Sequence, residues 1–227
     1  MQILGLQKLT LLDYPGYIAS TIFTGGCNFK CPFCQNASLV NYKEKDLGEK
    51  NILEFLKKRK LYIDAVCISG GEPTIQPDLK NFIKKVKKLG YLIKLDTNGT
   101  NPKLLRELIN EKLIDYVAMD IKNSKEKYNQ TIGLKYDIKS IEESINLLLE
   151  DKIDYEFRTT VVKNFHDCDD FKKIAKWIKG AKKYVLQQFV NSNNVIQSGL
   201  SSHSKEKLYE FKNILDKKLK NVEIRGE

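Results

Sequence analysis

Short apolar runs alternate with amphipathic stretches along most of the chain. Six runs rich in branched and aromatic residues predict buried strands at residues 17–23, 63–69, 91–97, 114–121, 155–162 and 184–189. Apolar residues spaced three and four apart predict helices around residues 52–56, 79–86, 104–109, 138–148, 171–178 and 208–215. Strands and helices that alternate in this way indicate an α/β fold with parallel strands and right-handed crossovers.

The number of units limits the architecture. A closed barrel needs eight units and about 250 residues, so six units leave an incomplete barrel or an open doubly wound sheet. The 227 residues predict one domain, with an N-terminal extension at 1–16, a six-stranded core at 17–189 and a C-terminal loop and helix at 190–227. In either architecture, functional side chains are expected at the C-terminal ends of the strands.

Composition and charge narrow the class of partner. The formal net charge is +10, but the lysines are scattered over amphipathic helices, which favours solvated faces and does not favour a nucleic-acid partner. No apolar run approaches the roughly 18 residues of a spanning helix, and the first residues do not resemble a secretory signal. We therefore expect a cytoplasmic protein with no membrane partner.

Three of the five cysteines form the strongest local pattern. Cys27, Cys31 and Cys34 make a CxxxCxxC segment directly after the first predicted strand. Thiolates this close together are typical of a metal centre in a reducing compartment rather than of disulfides. A 4Fe-4S cluster normally takes four cysteines, so three would leave one iron open to an outside ligand.

A structural zinc site is the alternative reading of these cysteines. Such a site needs a fourth cysteine or histidine in a closed tetrahedral shell. The candidates for that fourth ligand are Cys67, Cys168, His166 and His203. None is paired with a second ligand at zinc-finger spacing, so a zinc-stabilised basic module that binds nucleic acid remains the weaker hypothesis.

The cysteine segment resembles that of radical S-adenosylmethionine (SAM) enzymes, in which CxxxCxφC holds a 4Fe-4S cluster and φ is aromatic. Phe33 occupies the φ position. Gly70, Gly71 and Glu72 follow the second predicted strand and match the GGE motif, whose backbone and carboxylate receive the SAM amino group in that family. The resemblance implies an incomplete TIM-like (β/α)6 barrel with a 4Fe-4S cluster and SAM as cofactors.

Two further segments resemble glycyl-radical-enzyme activases within this family. Residues 96–99 read DTNG and residues 119–122 read MDIK. By resemblance, Asp96, Thr97 and Asp120 would hold a monovalent cation, Na⁺ or K⁺, beside SAM, and Asp96 and Lys122 would lie close to SAM. Arg158 matches the arginine that reaches toward SAM in the activases' RxxVV strand.

Three segments of the chain narrow the resemblance to one class of activases. Residues 5–16, the segment GGCNFKCPFCQN and the segment LQQF are most similar to the longer class of anaerobic ribonucleoside-triphosphate reductase activating proteins. Phe189 stands where pyruvate formate-lyase-type activases have a SAM-contacting histidine. Phe189 could stack on adenine or belong to the core, and both readings stay open.

The resemblance implies a function and partners. The enzyme would cleave SAM reductively and use the resulting radical to take a hydrogen atom from a glycine of a partner, most specifically anaerobic ribonucleotide reductase. Flavodoxin or ferredoxin would supply the electron. No catalytic side chain is implied beyond those that hold the cluster and SAM. The alternatives are an activase of another glycyl radical enzyme, such as pyruvate formate-lyase, or a radical SAM enzyme that acts on a small molecule.

Overall fold

The computed structural model describes residues 1–192 and 194–226, whose strands form one eight-stranded sheet in chain order. The strands are β1 (Ile3–Thr10), β2 (Ala19–Thr24), β3 (Ala65–Gly70), β4 (Leu92–Thr97), β5 (Tyr116–Asp120), β6 (Asp154–Val161), β7 (Tyr184–Gln188) and β8 (Val222–Arg225). The helices are α1 (Ala37–Val40), α2 (Glu49–Arg59), α3 (Leu79–Lys88), α4 (Pro102–Asn110), α5 (Tyr128–Ile132), α6 (Lys139–Leu149), α7 (Cys168–Trp177) and α8 (Lys205–Asp216). In the same ranges, no helix has the length and apolar character that crossing a membrane requires.

The order of the strands decides between the two architectures that the sequence left open. Every neighbouring pair from β2 to β8 is parallel, and β1 pairs antiparallel with β2. A doubly wound sheet reverses its strand order at a switch point, whereas this order never reverses. Right-handed crossovers then place the helices on one face, and the sheet curls around the other. Within the described ranges β1 and β8 do not pair, which confirms an incomplete barrel.

The six predicted strands are present as β2 to β7, and the six predicted helices as α2, α3, α4, α6, α7 and α8. Two strands were not predicted. β1 lies in the segment predicted as an N-terminal extension, and β8 lies in the segment predicted as a C-terminal loop and helix. β1 has three consecutive exposed residues and β8 has only four residues, so neither has the buried periodicity that identifies a strand.

A buried ion pair attaches β8 to the rest of the barrel. Glu156 on β6 is fully buried, and its two carboxylate oxygens accept hydrogen bonds of 2.8 Å each from the Arg225 guanidinium on β8. The Tyr116 hydroxyl donates a third hydrogen bond to Glu156 at 3.1 Å. A buried charge requires such a partner, so the contact fixes the position of a strand that is otherwise short.

The two faces of the sheet differ in character. On β4, Ile93 and Leu95 are fully buried in the apolar core beneath the helices, whereas Lys94 and Asp96 point to the barrel interior. β6 repeats the pattern, with Phe157 in the core and Arg158 inside the barrel. Polar side chains therefore line the interior, and those near the strand C-termini form the candidate site.

Candidate active site

The three cysteines lie together on one wall of a cavity at the C-terminal ends of the strands. Cys27, Cys31 and Cys34 belong to the loop that follows β2, residues 25–36, which we call the cysteine loop. All three line a cavity of about 250 Å³. The Cys34 amide donates a hydrogen bond to the Cys31 carbonyl at 3.0 Å, which keeps the second half of the loop compact.

Two distant segments hold the cysteine loop from outside. The Lys30 amide donates to the carbonyl of Ile132, at the end of α5, at 3.0 Å. After β7, the Ile196 amide donates to the Cys34 carbonyl at 3.2 Å and the Gln197 amide donates to the Pro32 carbonyl at 2.9 Å. The cysteine loop is thus tied to segments that follow β5 and β7, which restricts its freedom to move.

Burial sets the protonation of the thiols. Burial raises the pKa of Cys27 to about 12 and that of Cys31 to about 11. At neutral pH both would therefore be protonated until iron displaces the protons, because only the thiolate ligates metal.

The loop after β3 packs tightly on the cysteine loop. A Cβ on Gly71 would lie 1.7 Å from the Gly26 carbonyl oxygen, and a Cβ on Gly70 would lie 2.3 Å from the Thr24 amide nitrogen. Gly70 also has a φ of +119°, in the region that favours glycine. The Glu72 amide donates to the Gly26 carbonyl at 2.9 Å. The two glycines are therefore required for the contact between the loops.

The Glu72 side chain joins the loops after β3 and β4. One carboxylate oxygen accepts hydrogen bonds from the Thr74 hydroxyl at 2.6 Å and the Thr97 hydroxyl at 2.8 Å. The other accepts from the Asn98 amide at 2.6 Å. Burial raises the pKa of Glu72 against the lowering effect of these donors. Glu72 lines the cavity and also fixes the shape of its wall.

A line of alternating charges crosses the cavity floor. Arg158 bridges two carboxylates, with its Nη2 3.1 Å from Asp96 and its Nε donating to Asp120 at 2.6 Å. The Lys122 ammonium donates to the other oxygen of Asp120 at 2.8 Å. Burial opposes the ionisation of Asp96 and Asp120, but the neighbouring cations outweigh it and lower the pKa of both carboxyls.

The lowered pKa of Asp120 predicts a specific dependence of stability on pH. Its folded pKa lies below the unfolded value of about 3.9, so its stabilising effect is complete above that value and is lost as pH falls toward the folded pKa. The free energy of unfolding should therefore drop between about pH 5 and about pH 3, and drop less in Asp120→Asn. Urea unfolding of both proteins at the two pH values measures the difference. Equal drops would contradict the ion-pair assignment.

The remaining predicted residues divide into two groups. Phe33 lines the cavity and packs against Phe165, with ring centroids 5.8 Å apart. Phe189 is fully buried in the apolar core, which favours the core reading over adenine stacking. The candidate zinc ligands Cys67, Cys168, His166 and His203 all lie in the described ranges and do not line the cavity. Within those ranges, no set of three cysteine, histidine or acidic side chains surrounds a single metal ion.

Several cavity residues were not predicted. Asp13 reaches the cavity from the loop between β1 and β2, where Tyr14 packs on Tyr116 at a centroid distance of 5.6 Å. Thr160 lies two positions after Arg158 on β6, and Ser69 lies one position before the GG pair. The two-residue period of a strand could have identified Thr160, whereas Asp13 carries no local signal. The other unpredicted cavity residues include Asn98 and Gln187.

The donor set fits a 4Fe-4S cluster with SAM. In such a cluster each cysteine binds its own iron, so three sulfurs need to share one cavity wall and need not converge on one atom. Cys27, Cys31 and Cys34 meet that condition, and Lys122 and Arg158 add positive charge suited to a carboxylate. When bound, the pair supplies one-electron reductive cleavage of SAM.

Comparisons with known proteins support this assignment. The model of the Radical SAM superfamily matches residues 21–178. A Methanocaldococcus jannaschii protein named "Putative glycyl-radical enzyme activating enzyme" is 35% identical over 228 residues, covering 97% of this chain and 94% of that protein. The pyruvate formate-lyase-activating enzyme of Clostridium pasteurianum is 32% identical over 124 residues, covering 52% of this chain and 51% of that protein.

A solved structure shares the fold. SuiB of Streptococcus suis, bound to S-adenosylmethionine, aligns with a TM-score of 0.72 at 15% identity, covering 89% of this chain and 49% of SuiB. The chain thus spans about half the length of SuiB, and the likeness concerns the fold alone. The family model, in contrast, matches most of the chain and includes the cysteine loop. The chain therefore belongs to the radical SAM superfamily of enzymes, and the two relatives described above are named as activating enzymes of glycyl-radical enzymes.

Proposed function

We propose that this enzyme generates a glycyl radical on anaerobic ribonucleoside-triphosphate reductase by reductive cleavage of SAM. The observation that carries the activase assignment is the similarity along 97% of the chain to a protein named as an activating enzyme, with three cysteines in one cavity. The choice of reductase over other glycyl radical enzymes rests on the segments at residues 5–16, the cysteine loop and LQQF.

The residues of the cavity would divide the work of holding SAM. The backbone of Gly70 and Gly71 would contact the SAM amino group, with the Glu72 carboxylate close by to balance its charge. Lys122 and Arg158 would face the SAM carboxylate from the cavity floor. Phe33 would cover the cysteine side of the site and exclude water, since only 4% of it is exposed. Asp96 would pair with the Arg158 guanidinium and so fix its position.

The open sheet suits a protein substrate. A glycine on a loop of a large partner needs lateral access. A sheet whose β1 and β8 edges do not pair with each other in residues 1–192 and 194–226 offers that access more readily than a closed barrel. The exposed Lys30 lies between Cys27 and Cys31 and would favour an acidic electron donor such as flavodoxin or ferredoxin. We place the reaction in the cytoplasm because all five cysteines are free thiols and the cluster requires a reducing compartment.

Electron paramagnetic resonance (EPR) spectroscopy tests the proposed partner. The reconstituted, reduced enzyme is mixed anaerobically with SAM and either anaerobic ribonucleotide reductase or pyruvate formate-lyase. We expect a glycyl doublet on the reductase, about one 5′-deoxyadenosine per radical, and no doublet on a reductase whose radical glycine is replaced by alanine. A doublet on pyruvate formate-lyase alone would contradict the choice of partner. SAM cleavage with no doublet on either protein would also contradict the choice of the reductase, and would leave another glycyl radical enzyme or a small molecule as the substrate.

A further inference from the structure

A buried lysine lies directly beneath the predicted SAM site. Lys94 is in the middle of β4, two positions before Asp96 on the same interior face, and 1% of it is exposed. Its ammonium pairs with one carboxylate oxygen of Asp96 and lies 3.8 Å from the Cys67 sulfur. Lysine is rarely buried without a charged partner, and the Asp96 carboxylate supplies that partner inside the barrel.

The partners of Lys94 continue the line of charges on the cavity floor. The second carboxylate oxygen of Asp96 accepts a hydrogen bond from the Ser69 hydroxyl at 3.0 Å and faces Arg158. Both oxygens of Asp120 are bound as well, one by Arg158 and the other by Lys122. Each carboxylate oxygen of the two aspartates is therefore in contact with a cationic side chain.

These contacts leave the three residues predicted to bind Na⁺ or K⁺ poorly suited to that task. Thr97 directs its hydroxyl to Glu72 at 2.8 Å, and the oxygens of Asp96 and Asp120 face cations of the protein itself. The five groups in mutual contact carry three positive and two negative charges, a balance of 3 − 2 = +1. A metal cation added among them would have to displace one of these side-chain cations from its carboxylate, which would leave a buried charge without its partner.

We propose that the Lys94 ammonium takes the place of the monovalent cation, so that SAM binds to this enzyme without Na⁺ or K⁺. Lys94 is a positioning residue, because it acts through Asp96 and Arg158 and does not line the cavity itself. The proposal depends on SAM binding in this cavity and is independent of which protein receives the radical.

The test measures SAM binding to the reconstituted, unreduced enzyme by equilibrium dialysis, so that SAM is not consumed. Buffers of equal ionic strength contain potassium, sodium or N-methyl-D-glucamine as the only cation. We expect the wild-type dissociation constant to change less than about twofold among them. Lys94→Met should bind SAM roughly tenfold more weakly in N-methyl-D-glucamine and regain affinity in potassium or sodium, while Lys94→Arg should remain independent of the metal.

A matched control shows whether the loss of SAM affinity is specific to Lys94 or follows from removing any lysine that pairs with an aspartate. Lys87 pairs with Asp115 at 2.8 Å away from the cavity, so Lys87→Met should bind SAM as the wild type does in every buffer. A wild-type affinity that falls about tenfold or more when potassium and sodium are removed would overturn the proposal, whether or not Lys94→Met folds. A weakened Lys94→Met that no metal rescues would overturn it as well. The absence of a glycyl radical on a partner would leave this binding result unaffected.

Discussion

Replacing Cys34 with alanine is expected to abolish the cluster and, with it, SAM cleavage. Cys34 is one of three cysteines that share the cavity wall, and the described part of that wall offers no fourth cysteine. Loss of groups that merely support a metal ligand costs roughly 10- to 100-fold, so loss of a ligand should lower the cleavage rate by about a hundredfold or more. Iron content and 5′-deoxyadenosine formation measure the effect, and Cys27→Ala and Cys31→Ala should behave alike.

Cys168→Ala is the matched control for these three variants. Cys168 begins α7 outside the cavity, where its thiol donates to a Glu210 carboxylate oxygen at 2.9 Å. This variant should keep the iron content and the cleavage rate of the wild type. If Cys168→Ala lost its iron while Cys34→Ala retained it, the assignment of the ligands would be wrong.

The second large effect is expected from Gly71→Ala. The added Cβ would lie 1.7 Å from the Gly26 carbonyl oxygen, so the backbone of one loop would have to move. Overpacking of this kind should lower the free energy of unfolding by about 3 kcal/mol, and displacement of the cysteine loop should lower iron incorporation. Urea unfolding and iron analysis measure the two consequences.

Gly180→Ala separates the steric clash from backbone strain. Gly180 has a φ of +97°, but among the described residues no heavy atom beyond the glycine and its two chain neighbours lies within 4 Å of the position of its Cβ. This substitution should cost about 1 kcal/mol through strain alone and leave iron incorporation unchanged. If Gly71→Ala were no more destabilised than Gly180→Ala, the tight contact between the two loops would not exist.

The strands that the sequence predicted share one property, which is a run of at least three consecutive buried residues. β3 begins with four buried residues and β5 has three in a row, and apolar runs of this type can be recognised in the local sequence. β8 depends instead on the Arg225–Glu156 pair, which joins residues 69 positions apart. Contacts over such a distance leave no periodic signal in the local sequence.

The position of the site could be predicted from motifs that directly follow strands, because the carboxyl ends of parallel strands meet at one rim of the barrel. The three cysteines, the Gly70–Glu72 loop, Asp96, Asp120 and Arg158 all line one cavity. The role of Lys94 could not be predicted, since a lysine in a short strand usually indicates a solvated face. Only the fold shows that this face is the barrel interior. The hydrogen bonds that Thr97 and Asn98 donate to Glu72 could not be predicted either, because they depend on how neighbouring strands pack.

The EPR spectrum of the reconstituted, reduced enzyme, recorded with and without SAM, shows directly whether the three cysteines hold a 4Fe-4S cluster that binds SAM. A cluster held by Cys27, Cys31 and Cys34 leaves one iron free to bind SAM. We expect the signal of a reduced 4Fe-4S cluster whose shape changes when SAM is added. A protein that takes up no iron, or a cluster signal that SAM does not alter, would contradict this expectation.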